Sequence, residues 1–189
     1  MQLTIDDHER GKDFVTESEH KRLLQGAGQL RNPERNQLLV MMLYRHGLRE
    51  TEAANLTIQD LQLESARLWV RRIKGGLSTE HPIEGDELRL LRRYLRTRSL
   101  NLPWLFVSER GGPLSRHSII YTIGQAALKA DLGHVTPHML RHGCGYYLAN
   151  KGYDLRLIQD YLGHRDPKHT ARYTRTASVR FTGLWGNKA

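Results

Sequence analysis

The stretch LGHRDPKHTARYTR, Leu162 to Arg175, sets one tyrosine, Tyr173, among two histidines, three arginines and a lysine, with Asp166 as the lone acid. A phenol has an ordinary pKa of about 10 and is a weak nucleophile at neutral pH. Nearby cations favour its phenolate form, so this setting predicts a tyrosine whose ionisation is eased. A second group lies in HMLRHGCGYYLAN. At helical periodicity His138, Arg141, His142, Gly145 and Ala149 share one face, while Leu140, Cys144 and Tyr147 share another that suits a core. The small residues beside the His–Arg pair leave room for something large. In HGLRETEAANL, Arg49 follows a helix-ending glycine, and Glu52 stands three residues on, where it could orient the guanidinium. In RRIKGG, Lys74 sits beside two glycines and can swing and reach.

Each of these has a plainer reading. An isolated HxxR is an ordinary solvated face, a surface Arg–Glu pair contributes little, and a lysine in a turn serves solubility. His134, His138 and His142 are spaced by four, which invites a metal ion. Pro137 places His134 outside the helix, however, and no carboxylate joins the set as it does in HExxH zinc sites, so no metal is expected. Cys144 falls on the apolar face and reads as a small buried residue. It does not share a face with His142, which argues against a Cys–His nucleophile pair.

The elements that must carry these residues can be read from caps and periodicity. Residues 1–13 are polar and read as a flexible tail. A capping box from Thr16 to Glu19 opens a helix over about 17–25. Asn32-Pro33 starts a second helix, whose run LLVMMLY marks it as buried and which Gly47 ends. A short helix over 51–56 follows. ARLWVRRI, 66–73, alternates as a strand, with Leu68, Val70 and Arg72 against Trp69 and Arg71. Lys74-Gly75-Gly76 is a turn, and LSTEHPI returns as a second strand. Helices are expected over 86–98 and 115–130, separated by a loop containing WLFV. Thr136-Pro137 opens a helix to about Asn150, Asp154 caps another through Leu162 that Gly163 closes, and Asp166-Pro167 opens the helix bearing Tyr173. The fold class is therefore α+β, mostly α, with a small antiparallel sheet, in one unit over 14–189.

The bulk properties fit a binder of polyanions. Of 189 residues, 29 are Lys or Arg and 20 are Asp or Glu, a net charge of +9 with ten histidines uncounted, and such an excess favours nucleic acid. The single cysteine rules out an internal disulfide framework and fits a reducing compartment. No apolar run approaches a membrane span, and MQLTIDDHERGKDF lacks the segments of a signal peptide.

Taken in order, Arg49, Lys74, the HxxR of His138 and Arg141, the LGH ending at His164, and Tyr173 nine residues later resemble the catalytic set of the tyrosine recombinases, or phage integrase family. The match runs from about Thr16 to Trp185. Within that family RRIKGGLSTEHPI, PHMLRHGCGYYLA, LIQDYLGHR and RFTGLW look like the small bacterial recombinases that invert a promoter segment in fimbrial phase variation. The resemblance implies a tyrosine recombinase catalytic domain without a separate N-terminal DNA-clamping domain, so that one copy binds weakly. It implies that Tyr173 attacks a DNA phosphate to leave a 3′-phosphotyrosine link, with no cofactor. Arg49 and Arg141 would grip the non-bridging oxygens, as metal ions do in other phosphoryl-transfer sites. His138 and His164 would add hydrogen bonds, His138 would assist proton removal from Tyr173, and Lys74 would protonate the departing 5′ hydroxyl.

Glu52 and His142 are expected behind these residues, His142 as a structural or phosphate-orienting group rather than a proton carrier. Contacts to DNA are expected from Arg71, Arg72, Ser115, Arg116, His117, Arg172 and Arg175. The apolar tail residues Phe181, Leu184 and Trp185 would dock on a neighbouring copy. Expected partners are double-stranded DNA at paired inverted repeats, a homotetramer on that DNA and host DNA-bending proteins, in the bacterial cytoplasm at the nucleoid and with no membrane. A type IB topoisomerase-like nicking enzyme would use the same chemistry, and a non-catalytic DNA-binding regulator would not need Tyr173.

Overall fold

A computed structural model describes residues 12–73, 75–98, 101–175, 177 and 179. The organising element is helix α2, Pro33–Arg45, whose residues Leu38 to Tyr44 are all buried. A helix apolar on every side has to lie inside the molecule. Helices α1 (Glu17–Gly28), α4 (Gly85–Thr97) and α6 (Pro137–Asn150) pack against it, and α5 (Arg116–Lys129) packs on α1. The short α3 (Glu50–Asn55) follows the bend after α2, and α7 (Leu155–Leu162) and α8 (Lys168–Arg175) close on α6. No helix among the described residues is long and apolar enough to cross a membrane.

The caps behave as local chemistry requires. Thr16 Oγ1 accepts from the Glu19 N–H at 3.3 Å and Glu19 reaches back to the Thr16 N–H at 2.9 Å. Ser115, Thr136 and Asp154 accept in the same way from Ser118, Met139 and Leu157, satisfying donors that a helix start leaves open. Asn32 differs: it sits at φ 64° and its side chain caps nothing, so Pro33 alone sets the start of α2.

Two lengths depart from the sequence reading. Helix α1 runs on to Gly28, because Gly26 faces α5: a Cβ there would stand 2.2 Å from the carbonyl oxygen of Ala126. The glycine marks a close helix crossing rather than an end. The sheet contains a strand the sequence did not reveal, β1 (Leu61–Gln62), beside β2 (Arg67–Val70) and β3 (Thr79–Pro82), in the antiparallel order β1-β2-β3. Two residues are too few to show alternation. In β2, Leu68 and Val70 face inward, with His81 opposite Leu68. Pairing ends at Val70, but the alternation continues one step, so Arg72 also points inward and is buried. The expected DNA contact by Arg72 is therefore corrected: its side chain belongs to the interior. In the segment after α4, Leu105 and Phe106 are fully buried, and bridges from Trp104 to Thr57 and from Val107 to Pro113 tie it down.

Two buried histidines make this core sensitive to acid. His20 stacks on Tyr44 at 4.1 Å, and burial, followed by the charge of Arg45, lowers its pKa to about 4. His81 stacks on Tyr161 at 3.9 Å, and burial, with His46 and Arg72 adding to it, lowers its pKa to about 2. Both are depressed in the folded state. Above the ordinary value of 6.5 they add no pH dependence, and below it the unfolded chain takes protons that the folded chain refuses. Stability should thus fall as pH drops from 6.5 toward 4, by roughly 1.4 kcal/mol per histidine per pH unit. Denaturant unfolding at pH 7.5, 6 and 5 checks this, and a flat profile across that range contradicts it. At the helix crossing, Gly26→Ala should cost about 1–3 kcal/mol through overpacking against backbone. Thermal melts would show it as a midpoint lowered by several degrees.

Candidate active site

The bend after α2 places the first arginine. Gly47 adopts φ +54°, a conformation a side chain resists, and Arg49 takes the N-cap position of α3. Glu52, one turn in, accepts from the backbone N–H of Arg49 at 2.9 Å and from its guanidinium at 2.8 Å. The other oxygen of Glu52 also accepts from Arg72 at 2.8 Å. Arg72 goes on to donate to the carbonyls of Gly47, His46 and Tyr161 at 3.1, 2.8 and 2.7 Å. Arg141, from α6, donates to the same Gly47 carbonyl and to Leu162 O at 2.7 Å. Three guanidinium groups thus converge on one carboxylate and a ring of backbone oxygens.

Burial opposes the charged form of Glu52, but Arg72, the Arg49 backbone N–H and Arg141 together outweigh it and hold the carboxyl below its usual range. Arg141 shows the opposite strain. Burial, then the charges of Arg72 and Arg49, push it down to about 10. One acid does not neutralise three bases, so the cluster keeps a positive excess that suits an anion.

The C-terminal elements complete the site. Gly163 ends α7 at φ +68°, and a Cβ there would lie 2.5 Å from Arg72 Cγ. His164 follows, its Nδ1 2.8 Å from the hydroxyl of the fully buried Thr170, while Gln159 donates to its carbonyl at 3.0 Å. Burial, then Arg141 and Arg49, lower the pKa of His164 to about 3. Tyr173 on α8 lies against Gly145, where a Cβ would come within 2.6 Å of its ring. The phenol oxygen is 2.7 Å from His142 Nδ1. Arg49, His138, Arg141, His142, His164 and Tyr173 all line one cavity of about 310 Å³. Asp166 lies at its edge, with its carboxylate turned to the backbone N–H of Lys168 at 2.9 Å.

Two expectations change here. Tyr173 is 1% exposed, and burial raises its pKa above the ordinary 10 despite Arg141 and Arg172 pulling the other way. Desolvation outweighs the cations. The contact expected of His138 is made by its neighbour one turn on: His142, not His138, meets the phenol, and the two imidazoles stack edge-on at 4.1 Å. Burial, then His138 and Arg172, lower the pKa of His142 to about 3.

The remaining predicted residues scatter around this centre. Arg71 is exposed and paired with Asp60 at 2.7 Å. Arg116 pairs with Glu50 at 2.9 Å, tying the first turn of α5, with Ser115 and His117, to the residue after Arg49. Arg175 is exposed, and Arg172 is bound to Asp13. Asp13, which the sequence assigned to the polar tail, thus reaches the site, and nothing local in the sequence announced it. Lys74 and the apolar tail residues Phe181, Leu184 and Trp185 lie outside the described residues, though Ile73 and Gly76 on either side of the lysine line the cavity. Among the described residues no cluster of three or more His, Cys, Asp or Glu has a metal-holding arrangement, and burial pushes the Cys144 thiol up to about 12.

Comparison with known proteins places this geometry. Type 1 fimbriae regulatory protein FimB of Escherichia coli is 40% identical over 179 residues, covering 92% of this chain and 90% of that protein. Type 1 fimbriae regulatory protein FimE of the same species is 42% identical over 183 residues, covering 91% and 90%. The crystal structure of XerA recombinase superposes with a TM-score of 0.78 at 30% identity, over 90% of this chain and 63% of that one, so this chain spans under two thirds of it. Residues 13–180 match the model of the Phage integrase family, and the chain belongs to that family, the tyrosine recombinases.

Proposed function

We propose that this protein cuts and rejoins double-stranded DNA through a 3′-phosphotyrosine on Tyr173, and that it inverts a segment carrying a promoter. One observation carries the chemistry: the phenol of Tyr173 shares a cavity with Arg49, Arg141, His138 and His164. A phosphodiester is the anion such a cavity suits. Among the described residues Arg141 uses two of its five N–H donors on backbone carbonyls and keeps three, while the Arg49 guanidinium gives one to Glu52. Pairs of forked donors on one phosphate stabilise the charge that builds on its oxygens during substitution.

The phenol oxygen attacks phosphorus, the P–O5′ bond breaks, and the 5′ oxygen takes a proton from an acid, a role assigned to Lys74. The phosphotyrosine keeps the energy of the broken diester. A second 5′ hydroxyl can therefore attack it, releasing Tyr173 and resealing the strand. Likeness to the two fimbriae regulatory proteins over nine tenths of their length supports inversion of a switch segment. The working unit is taken to be a homotetramer on paired inverted repeats, aided by host DNA-bending proteins at the nucleoid. Arg71, Ser115, Arg116, His117, Arg172 and Arg175 would contact the duplex, whose backbone charge makes binding strongly salt-dependent.

Tyr173→Phe removes the nucleophile and leaves the cations in place. It should still shift a duplex target in a gel but form no covalent adduct on a nicked suicide substrate. Wild-type protein should form an adduct that peptide mapping places on Tyr173. An adduct formed by the Phe variant would move the nucleophile elsewhere.

A further inference from the structure

The segment before α1 does more than lead into a helix. Phe14 packs its ring on Tyr146 at 4.3 Å, and Tyr146 in turn meets Tyr173 edge-on at 5.1 Å. The Val15 N–H donates to Met139 O at 3.1 Å. The Val15 carbonyl lies against Gly143, where a Cβ would approach it to 2.3 Å. Between these anchors Asp13 Oδ2 accepts from Arg172 and stands 4.0 Å from His142 Nε2, an ion-pair distance rather than a hydrogen bond. The far nitrogen of the same imidazole, Nδ1, is the one 2.7 Å from the Tyr173 hydroxyl.

The Asp13 carboxylate beside Nε2 favours the tautomer that carries the imidazole proton there. A phenol O–H that donates to Nδ1 leaves the imidazole proton on Nε2, the nitrogen that faces Asp13. The groups around His142 are His138 and Arg141 from its own helix, Tyr173 and Arg172 from α8, and Asp13 from the leading segment. All the charged ones are cationic except Asp13. If His142 took a proton without that carboxylate, a cation would form beside Arg141 and Arg172 with nothing to offset it.

We infer that Asp13 is a positioning residue for strand cleavage, acting through His142, which accepts the Tyr173 proton. This rests on the reading of Tyr173 as nucleophile. As the Tyr173 oxygen bonds to phosphorus and P–O5′ breaks, the phenolic proton passes to His142 Nδ1, giving an imidazolium whose Nε2–H faces the Asp13 carboxylate. The 5′ oxygen takes its own proton from a separate acid. On resealing, the proton returns from Nδ1 to the phenol. The arrangement places an acid, an imidazole and a nucleophilic hydroxyl in series, as base-activated nucleophiles require.

The test is single-turnover cleavage of a suicide duplex by full-length protein, with tyrosine or the more acidic 3,5-difluorotyrosine at position 173. Asp13→Asn keeps an oxygen for Arg172 but loses the charge. It should cleave roughly 10- to 100-fold more slowly, with target affinity in a gel shift unchanged, and Asp13→Glu should recover most of the loss. With difluorotyrosine, which needs less help to ionise, the Asn defect should shrink to within about threefold, because the missing contribution is to proton removal. An Asn variant that cleaves like wild type, or that is equally slow with both phenols, overturns the relay. In the wild-type protein, 15N chemical shifts should report the His142 proton on Nε2 at pH 7, and a proton on Nδ1 would overturn it without any variant. If wild-type protein forms no adduct, the functional reading itself fails and the relay falls with it. If the adduct forms but the Asn variant behaves as wild type, only the relay fails.

Discussion

Glu52 is a single buried carboxylate set among three guanidinium groups, and the site depends on that imbalance. Arg49 and Arg72 each take one of its oxygens, and Arg141 is left to the carbonyls of Gly47 and Leu162. With three carboxylates the cluster would be neutral and indifferent to anions. With none, three clustered cations, two of them buried, would repel one another in a poorly solvated space. One carboxylate fixes the positions and leaves a surplus. The depression of Arg141 to about 10 corresponds to an environment less favourable to its charge by about 3 kcal/mol. An anion entering the cavity would offset the part of that penalty that comes from Arg72 and Arg49.

Backbone geometry makes the convergence possible. Gly47 and Gly163, both in the left-handed region, let α2 and α7 stop where their last carbonyls can meet the arginines. Gly145 lets the Tyr173 ring lie flush on α6. Behind them runs a buried polar chain. Glu87 meets His46 at 2.8 Å, His46 meets His81 at 3.1 Å, and His81 meets Thr79 at 3.0 Å. This joins α4, the end of α2 and β3 directly beneath the bend that carries Arg49. This polar chain is satisfied along these three contacts, while Glu87 Oε2 has no hydrogen-bond partner among the described residues and stands 3.7 Å from Arg45.

Much of the frame was legible because it is written locally. Thr16, Ser115, Thr136 and Asp154 announce helix starts through their own oxygens, and Gly163 announces an end through its backbone. The HxxR face and the bend at Arg49 follow from helical spacing and one glycine. What escaped was non-local. Strand β1 has two residues and no periodicity to detect. The first helix reads as stopping near Gln25, because the α5 backbone that Gly26 accommodates lies a hundred residues away. Arg72 looked like one more surface arginine, although the alternation of Leu68 and Val70 already carried it inward. Asp13 sits in a polar run whose partner, Arg172, is on the last described helix, and no rule of spacing links the two.

The largest error of sequence reasoning concerns Tyr173 itself, and it shows how the two electrostatic effects rank. Counting charges along Leu162 to Arg175 predicts an acidic phenol, because every ionisable neighbour but Asp166 is basic. In three dimensions the ring joins Cys144, Ala149, Ile158, Leu162 and Ala177 in a small apolar core, and loss of water outweighs the pull of Arg141 and Arg172. Desolvation acts on the phenolate through all its surroundings, whereas each cation acts through one distance and is partly committed elsewhere, Arg141 to carbonyls and Arg172 to Asp13. A tyrosine held neutral in this way is an inert side chain until a base and a phosphate are both in reach. The burial that opposes ionisation also keeps the hydroxyl against His142, where its proton has somewhere to go. Low intrinsic acidity and a close contact with His142 are thus two consequences of one packing arrangement.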